Sequence, residues 1–149
     1  MAAGSWVIHD KAKLYLGDGT IDMDLHAFKI ALFLSTSNVA TTSINGFAAA
    51  TNEHAAANGY AAGGVSLSSP TWTEAAGVVT FDSTDPVFTA SGGSIVARFA
   101  VIYDDTVTTP VAKPIIAHCL LDVTPADVTV TDGNSLTIQM NSLGIFTVT

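Results

Sequence analysis

Four histidines, one cysteine and a set of aspartates are the residues of this chain whose types could do chemistry. His118 and Cys119 are neighbours, and an imidazole beside a thiol is the raw material of a nucleophile–base pair. The run around them, residues 115–121, is β-branched and apolar, so it reads as a strand whose successive side chains leave opposite faces. His118 and Cys119 therefore cannot serve each other, and Cys119 is expected to be a buried thiol acting as a small hydrophobe. As the only cysteine it excludes an internal disulfide, which fits maturation in a reducing cytoplasm. His9, His26 and His54 sit in separate segments without His-x-x-x-His or Cys-x-x-Cys spacing. A shared metal site would need a meeting in the folded chain that the spacing does not announce. No metal or other cofactor is expected.

The carboxylates offer calcium chemistry or turn chemistry. Asp18, Asp22 and Asp24 cluster, Asp82 and Asp85 flank a turn, and Asp104-Asp105 ends an apolar run. Calcium takes six to eight oxygen ligands, which loops of this kind can supply. Aspartate also hydrogen-bonds its own backbone in turns, and an acid set rich in Asp and nearly free of Glu is what turns alone produce. Glycoside hydrolysis by paired carboxylates would need a cleft with aromatic platforms, and only Trp6 and Trp72 could provide them. A hydrolase would lean on Asp22 or Asp104. Gly17-Asp18-Gly19 and Gly63-Gly64 lack the helix and lysine of a phosphate loop, and no Gly-x-Ser-x-Gly elbow exists. No catalytic residue is assigned, and the chain is read as a non-enzyme.

Charge narrows the partners. Of 149 residues, 48% are apolar and 12% charged, with 13 acids against 5 bases and a net charge of −8. That composition suits a packed core, and a chain of this length buries roughly 70% of its unfolded surface. Five cations make a poor phosphate-neutralising stripe, and the acidity disfavours an anionic bilayer, so neither nucleic acid nor membrane is expected as partner. No run approaches the ~20 apolar residues of a membrane span, and the first residues lack the basic start of a secretion signal. The surface should be coated in Thr, Ser, Asn and Ala, which desolvate cheaply against another protein.

The elements that must position these groups read as strands. Residues 28–34 alternate, with Phe28, Ile30, Leu32 and Leu34 on one face and the other face half-covered. Residues 95–103 are apolar on both faces except for Arg98, as in a central strand between two layers. Residues 78–81, 87–89 and 115–121 are further strands. Residues 128–131 and 134–140 flank Asp132-Gly133, the signal of a tight hairpin, with Val128, Val130, Leu136, Ile138 and Met140 on its inner face. A last strand covers residues 145–149. Residues 35–64 read as a long rim loop, with one or two helical turns at residues 51–59. About eight short strands with little helix indicate one all-β domain over residues 1–149. The expected fold is an antiparallel β-sandwich, jelly-roll-like, with one short helix in the long rim loop.

Lys13-Leu14-Tyr15-Leu16-Gly17-Asp18-Gly19, then Ile21-Asp22-Met23-Asp24 leading into Phe28-Lys29-Ile30-Ala31-Leu32-Phe33, resembles the opening of small virion proteins of tailed bacteriophages. Gly59-Tyr60-Ala61-Ala62-Gly63-Gly64, Ala97-Arg98-Phe99-Ala100-Val101-Ile102-Tyr103-Asp104-Asp105 and Gly144-Ile145-Phe146-Thr147 extend the resemblance from about Lys13 to Thr149. It implies a structural role in the particle and brings no catalytic residues with it. Among such roles, capsid decoration suits the size, the β architecture and the acidity, since a cement protein outside the shell meets no DNA. The implied partners are the major capsid protein and further copies of the chain in a dimer or trimer, and the implied location is the capsid surface of the virion. Residues 1–10 are expected as an N-terminal arm carrying exposed Trp6, Val7 and Ile8. The loop at residues 43–60, with Phe47, His54 and Tyr60, is the second expected contact. The alternative is a tail or fibre component that binds a host glycan through an exposed aromatic in a polar groove.

Overall fold

Residues 28–33 and 99–104 become neighbouring strands at the centre of the largest sheet, while the single strand expected over residues 95–103 breaks at Arg98, residues 95–97 pairing in another sheet. The structure, a computed structural model, describes residues 3–124 and 126–149. Its elements in order are β1 (Val7–Ile8), α1 (Asp10–Asp18), β2 (Phe28–Phe33), β3 (Val65–Ser66), β4 (Thr71–Ala75), β5 (Val78–Asp82) and β6 (Val87–Thr89). Then follow β7 (Ile95–Ala97), β8 (Phe99–Asp104), β9 (Ile115–Leu120), β10 (Val128–Val130), β11 (Ser135–Thr137) and β12 (Phe146–Val148). The chain is mostly β, its strand pairs are antiparallel, and α1 is the one α-helix among the described residues.

The five-stranded sheet has the order β1-β9-β8-β2-β3, with Ile30 opposite Ile102 at its middle. Alternation divides its side chains between two apolar layers. Phe28, Ile30, Leu32, Ala100 and Ile102 face the main core, while Ala31, Phe33, Phe99, Val101 and Tyr103 face a second cluster. Burying each of the larger side chains contributes about 1.5–3 kcal/mol, so both faces stabilise the sheet. The main face is covered by the three-stranded sheet β12-β5-β4, whose Phe81 meets Phe28 ring to ring at 5.3 Å. Phe146 and Trp72 extend that aromatic layer.

The second face is covered by the loop expected on the rim. Val39 is fully buried there, and the Phe47 ring lies 4.2 Å from Tyr103 and 5.8 Å from Phe33. Residues 34–50 are thus a lid over the sheet, because Phe33, Phe99 and Val101 would otherwise present an apolar face to water.

Two local expectations are corrected. Residues 51–59 hold no helix: Asn52 and Asn58 are left-handed, and Glu53 pairs as a bridge opposite Phe33. The Glu53 carboxylate takes the Tyr60 hydroxyl at 2.7 Å and the Gly63 N–H at 2.6 Å, tertiary bonds that override the helix preference of alanine. The helical turn in this loop is a 3₁₀ turn at Phe47–Ala49, and the α-helix lies instead at α1. There Ala12 and Tyr15 bury one stripe, and Gly19, at φ 80, provides the left-handed stop.

The second correction concerns Asp132-Gly133. β10 pairs with β7 and β11 with β6, so residues 128–137 run antiparallel to residues 87–97 as one bent ribbon. Ser135 sits opposite Thr89 and Val130 opposite Ile95, a one-residue step in register across the bend. The turn signal marks this corner, where the Gly92 N–H donates to the Asp132 carboxylate at 2.8 Å, rather than a hairpin. The facing pattern holds all the same. Val128, Val130, Leu136 and Ile138 are buried in the main core while Thr129, Thr137 and Gln139 are exposed.

Candidate functional site

The N-terminal segment is laid along the sheet. Gly4 donates to Leu120 O at 2.8 Å, Val7 sits opposite His118, and His9 donates to Ile116 O at 2.9 Å. Antiparallel residues bond to their partner alternately, so Trp6 and Ile8 turn their main-chain groups away from β9, along an open edge. Trp6 and Ile8 are half-buried against the main core, and Val7 is 43% exposed. Residues 1 and 2 of the expected arm lie outside the described residues.

Beside this edge runs a groove. One hollow of about 380 Å³ lies between residues 3–6 and the stretch Gln139, Asn141 and Phe146, with Cys119 and Ile138 at its floor. It continues, through the shared Ala3, Ile138 and Gln139, into a hollow of about 250 Å³ lined by Leu121, Val128 and Leu136. Among the described residues no charged side chain lines either hollow. Burial pushes the Cys119 thiol up to about 12, so it stays protonated and contributes shape rather than reactivity. Cys119 faces the main core and His118 the lid side, on the opposite faces expected of strand neighbours.

The remaining expected contact residues are turned inward to different degrees. Phe47 is half-buried on the inner side of the lid, whereas His54 and Tyr60 are buried. Tyr60 donates to Glu53 and accepts from the Leu32 N–H at 3.1 Å, and burial raises its hydroxyl far above the usual range. His54 packs its ring 5.0 Å from Tyr60 and bonds Ala55 O. These two hold the loop onto the sheet.

Three charged or imidazole clusters emerge that spacing alone did not reveal. Asp104, fully buried, accepts from the Thr106 and Val107 N–H groups on Oδ1 and meets His26 Nδ1 with Oδ2 at 2.6 Å. A carboxylate on an imidazole Nδ1 is also how the orienting pair of a catalytic triad is arranged. Among the described residues no hydroxyl or thiol bonds the His26 ring, and the Asp22 N–H lies 3.3 Å from the same Nδ1. The pair therefore ties the loop at residues 21–26 to the end of β8. Next to it, Asp105 holds Lys29 at 3.1 Å and Lys113 at 2.8 Å, the latter without the alignment of a hydrogen bond. Lys113 first, and Lys29 with it, keep the Asp105 carboxyl below the usual range.

The third cluster is His9 and His118, whose Nε2 and Nδ1 lie 3.0 Å apart. His9 is fully buried and His118 is 7% exposed. The His9 Nδ1 faces Ile44 O at 2.9 Å, and only an N–H can face a carbonyl, so Nδ1 carries the proton. Its Nε2 then holds a lone pair and accepts from His118 Nδ1–H. Both rings are neutral donors in series, and burial lowers both pKa values, that of His118 to about 4. Among the described residues no group of three or more His, Cys, Asp or Glu side chains converges as a metal cage. No family model, curated protein or solved structure matches the chain.

Proposed function

We propose that the chain is a non-enzymatic bacteriophage virion structural protein, a capsid decoration protein that binds the outside of the assembled shell and stabilises it. On this reading the two facing sheets are the layers of a jelly-roll-like sandwich, and the working surface is its open side. The observation that carries the reading is the uncharged groove beside the free edge of β1, on a chain whose net charge is −8. A lining that mixes apolar with uncharged polar side chains and a free strand edge suit strand addition by a neighbouring chain, in which main-chain bonds supply affinity and the hollows take alternate side chains. The partners are the major capsid protein and further copies of this chain. A protein that binds the closed lattice and not free subunits stabilises the shell by mass action. The test is to mix the purified chain with phage shells that lack their decoration protein. Binding accompanied by greater heat resistance is expected; no binding, or binding without that gain, overturns the reading.

One observation favours a tail or fibre role instead. Trp72, half-buried, lines a hollow of about 280 Å³ with Asp22, Leu16, Gly19, Ile21 and Met23. An aromatic ring beside a carboxylate provides the apolar face and the polar handle that orient a small ligand such as a sugar. Binding on a glycan array that is lost in Trp72→Ala would select this role.

A further inference from the structure

Beyond any role on a shell, the fold contains a buried imidazole junction. The His9–His118 pair joins three elements at one point: the end of β1 where α1 begins, the middle of β9, and the lid through Ile44 O. Asp10 N–H donates to Thr42 O at 3.0 Å beside it, so the N-terminal segment and the lid share an anchorage. β1 itself is only two residues long and brings little pairing of its own.

We propose that this pair is an acid-operated latch: protons taken from solvent break it, freeing residues 4–9 and 34–50 and uncovering the apolar face of Phe33, Phe99, Val101 and Tyr103. The hydrogen-bond series explains why. One added proton leaves the bond between the rings intact but places a full charge on a pair that is fully or nearly buried. A second proton sets N–H against N–H across 3.0 Å, and the bond cannot survive.

The surroundings offer little compensation. From α1, Asp10 favours a charged His9, but Lys13 opposes it and pairs with Asp10 at 3.6 Å. From the lid come only the carbonyls of Val39 and Ile44. From β8, Phe99 presents its ring to His118, and among the described residues the one titratable group acting on His118 is His9. Among the described residues no carboxylate stands ready to neutralise an imidazolium at His118.

Hydrogen exchange on the full chain tests the latch, with rates corrected for intrinsic pH dependence. Between pH 7.5 and pH 4.5, which bracket the ordinary imidazole range, protection in residues 4–9 and 34–50 should fall about tenfold or more. Protection in β2 and β8 should persist. In His118→Gln the amide can donate to a neutral His9 or, turned over, accept from a charged one, so the pH effect should shrink to less than about twofold. Three results would overturn the proposal. Protection in the two segments is equal at both pH values, or β2 and β8 lose theirs in step with them, or His118→Gln opens as the parent does. The last would take His118 out of the response. The first two are read on the unmodified chain and stand even where the variant does not fold.

Discussion

The carboxylate of Asp104 is fully buried and lies 2.6 Å from the His26 ring, 78 positions away in the chain. It is also the acceptor for two main-chain N–H groups that close the turn after β8. Removing it leaves those donors with no partner, at about 1–3 kcal/mol for each buried group. Asp104→Ala is therefore expected to lower the unfolding free energy by roughly 3 kcal/mol, and Asp104→Asn, which retains one acceptor, by less. Urea denaturation of the two variants checks the order. A loss for Asp104→Ala of under about 0.5 kcal/mol would mean that the clamp carries no stability.

Two separate pH windows should appear in the stability curve. His118 binds its proton in the unfolded chain near 6.5 and in the folded one at about 4, so the unfolded state holds more protons between these values. Stability is thus complete above about pH 6.5 and declines as pH falls toward 4, by a total of order 3 kcal/mol, with His9 adding in the same direction. Asp105 behaves as a carboxylate held down by Lys113 and Lys29. Its contribution is present above its unfolded value of 3.8 and is lost only as pH falls below that. Melting temperature against pH should show the first decline shrink in His118→Gln and the second in Lys113→Met, each without the other. A common response would show that neither group is the source assigned to it.

Glycine positions separate backbone geometry from space. Gly64 has φ 72, and a Cβ there would run into the Ile30 carbonyl, where the loop crosses the central sheet. Gly17 lies inside α1 and its Cβ would meet nothing within 4 Å. Gly64→Ala should destabilise by about 2 kcal/mol or more, from left-handed strain plus the clash, whereas Gly17→Ala should stabilise by about 0.5–1 kcal/mol through helix preference. Thermal melts of both are sufficient, and equal effects would refute the distinction.

The hairpin joining β4 and β5 turns on Ala76 at φ 54 and Gly77 at φ 83. Both central residues are left-handed, the geometry for which Asn-Gly is the favoured pair. An alanine held there costs roughly 1 kcal/mol, so Ala76→Asn is expected to stabilise by about 0.5–1 kcal/mol. A lower melting temperature in this exposed turn would count against it.

What the sequence disclosed was what alternation can disclose. Phe99 through Tyr103 carry apolar side chains on both faces, and their place in a sheet covered on both sides follows from that, whereas Phe28 through Phe33, with Lys29 on the second face, announce one buried face and one half-covered. The burial of Cys119 and its divergence from His118 follow from period two. Asp132-Gly133 misled because a turn signal is local. It marks a bend, and only the partner stretch at residues 87–97 decides whether the flanking runs meet each other. α1 was missed because its buried stripe is short, Ala12 and Tyr15, among exposed Lys13, Leu14 and Gly17. His9 and His118 are 109 residues apart, and nothing in either neighbourhood encodes the β1–β9 register that unites them.

The open edge gives the assembly reading its sharpest prediction. Residues 3–5 line one wall of the larger hollow, yet of the main-chain bonds in this stretch only Gly4 to Leu120 joins it to β9 ahead of β1. His9, at the end of the same segment, is fully buried and must stay. Deleting residues 1–5 therefore strips the wall of the groove without touching the latch or the core aromatics. The truncated chain should melt within a few degrees of the parent, since one exposed-edge hydrogen bond contributes about 1 kcal/mol. Its affinity for shells should nevertheless fall at least about tenfold, the effect of losing roughly 1.4 kcal/mol of docking energy. Filling the floor from the other side with Ile138→Trp would test the same surface by overpacking, so its melt must be read first. Affinity unchanged by the deletion, measured on a chain that still folds, would move the docking surface elsewhere and leave the Trp72 hollow as the site to pursue.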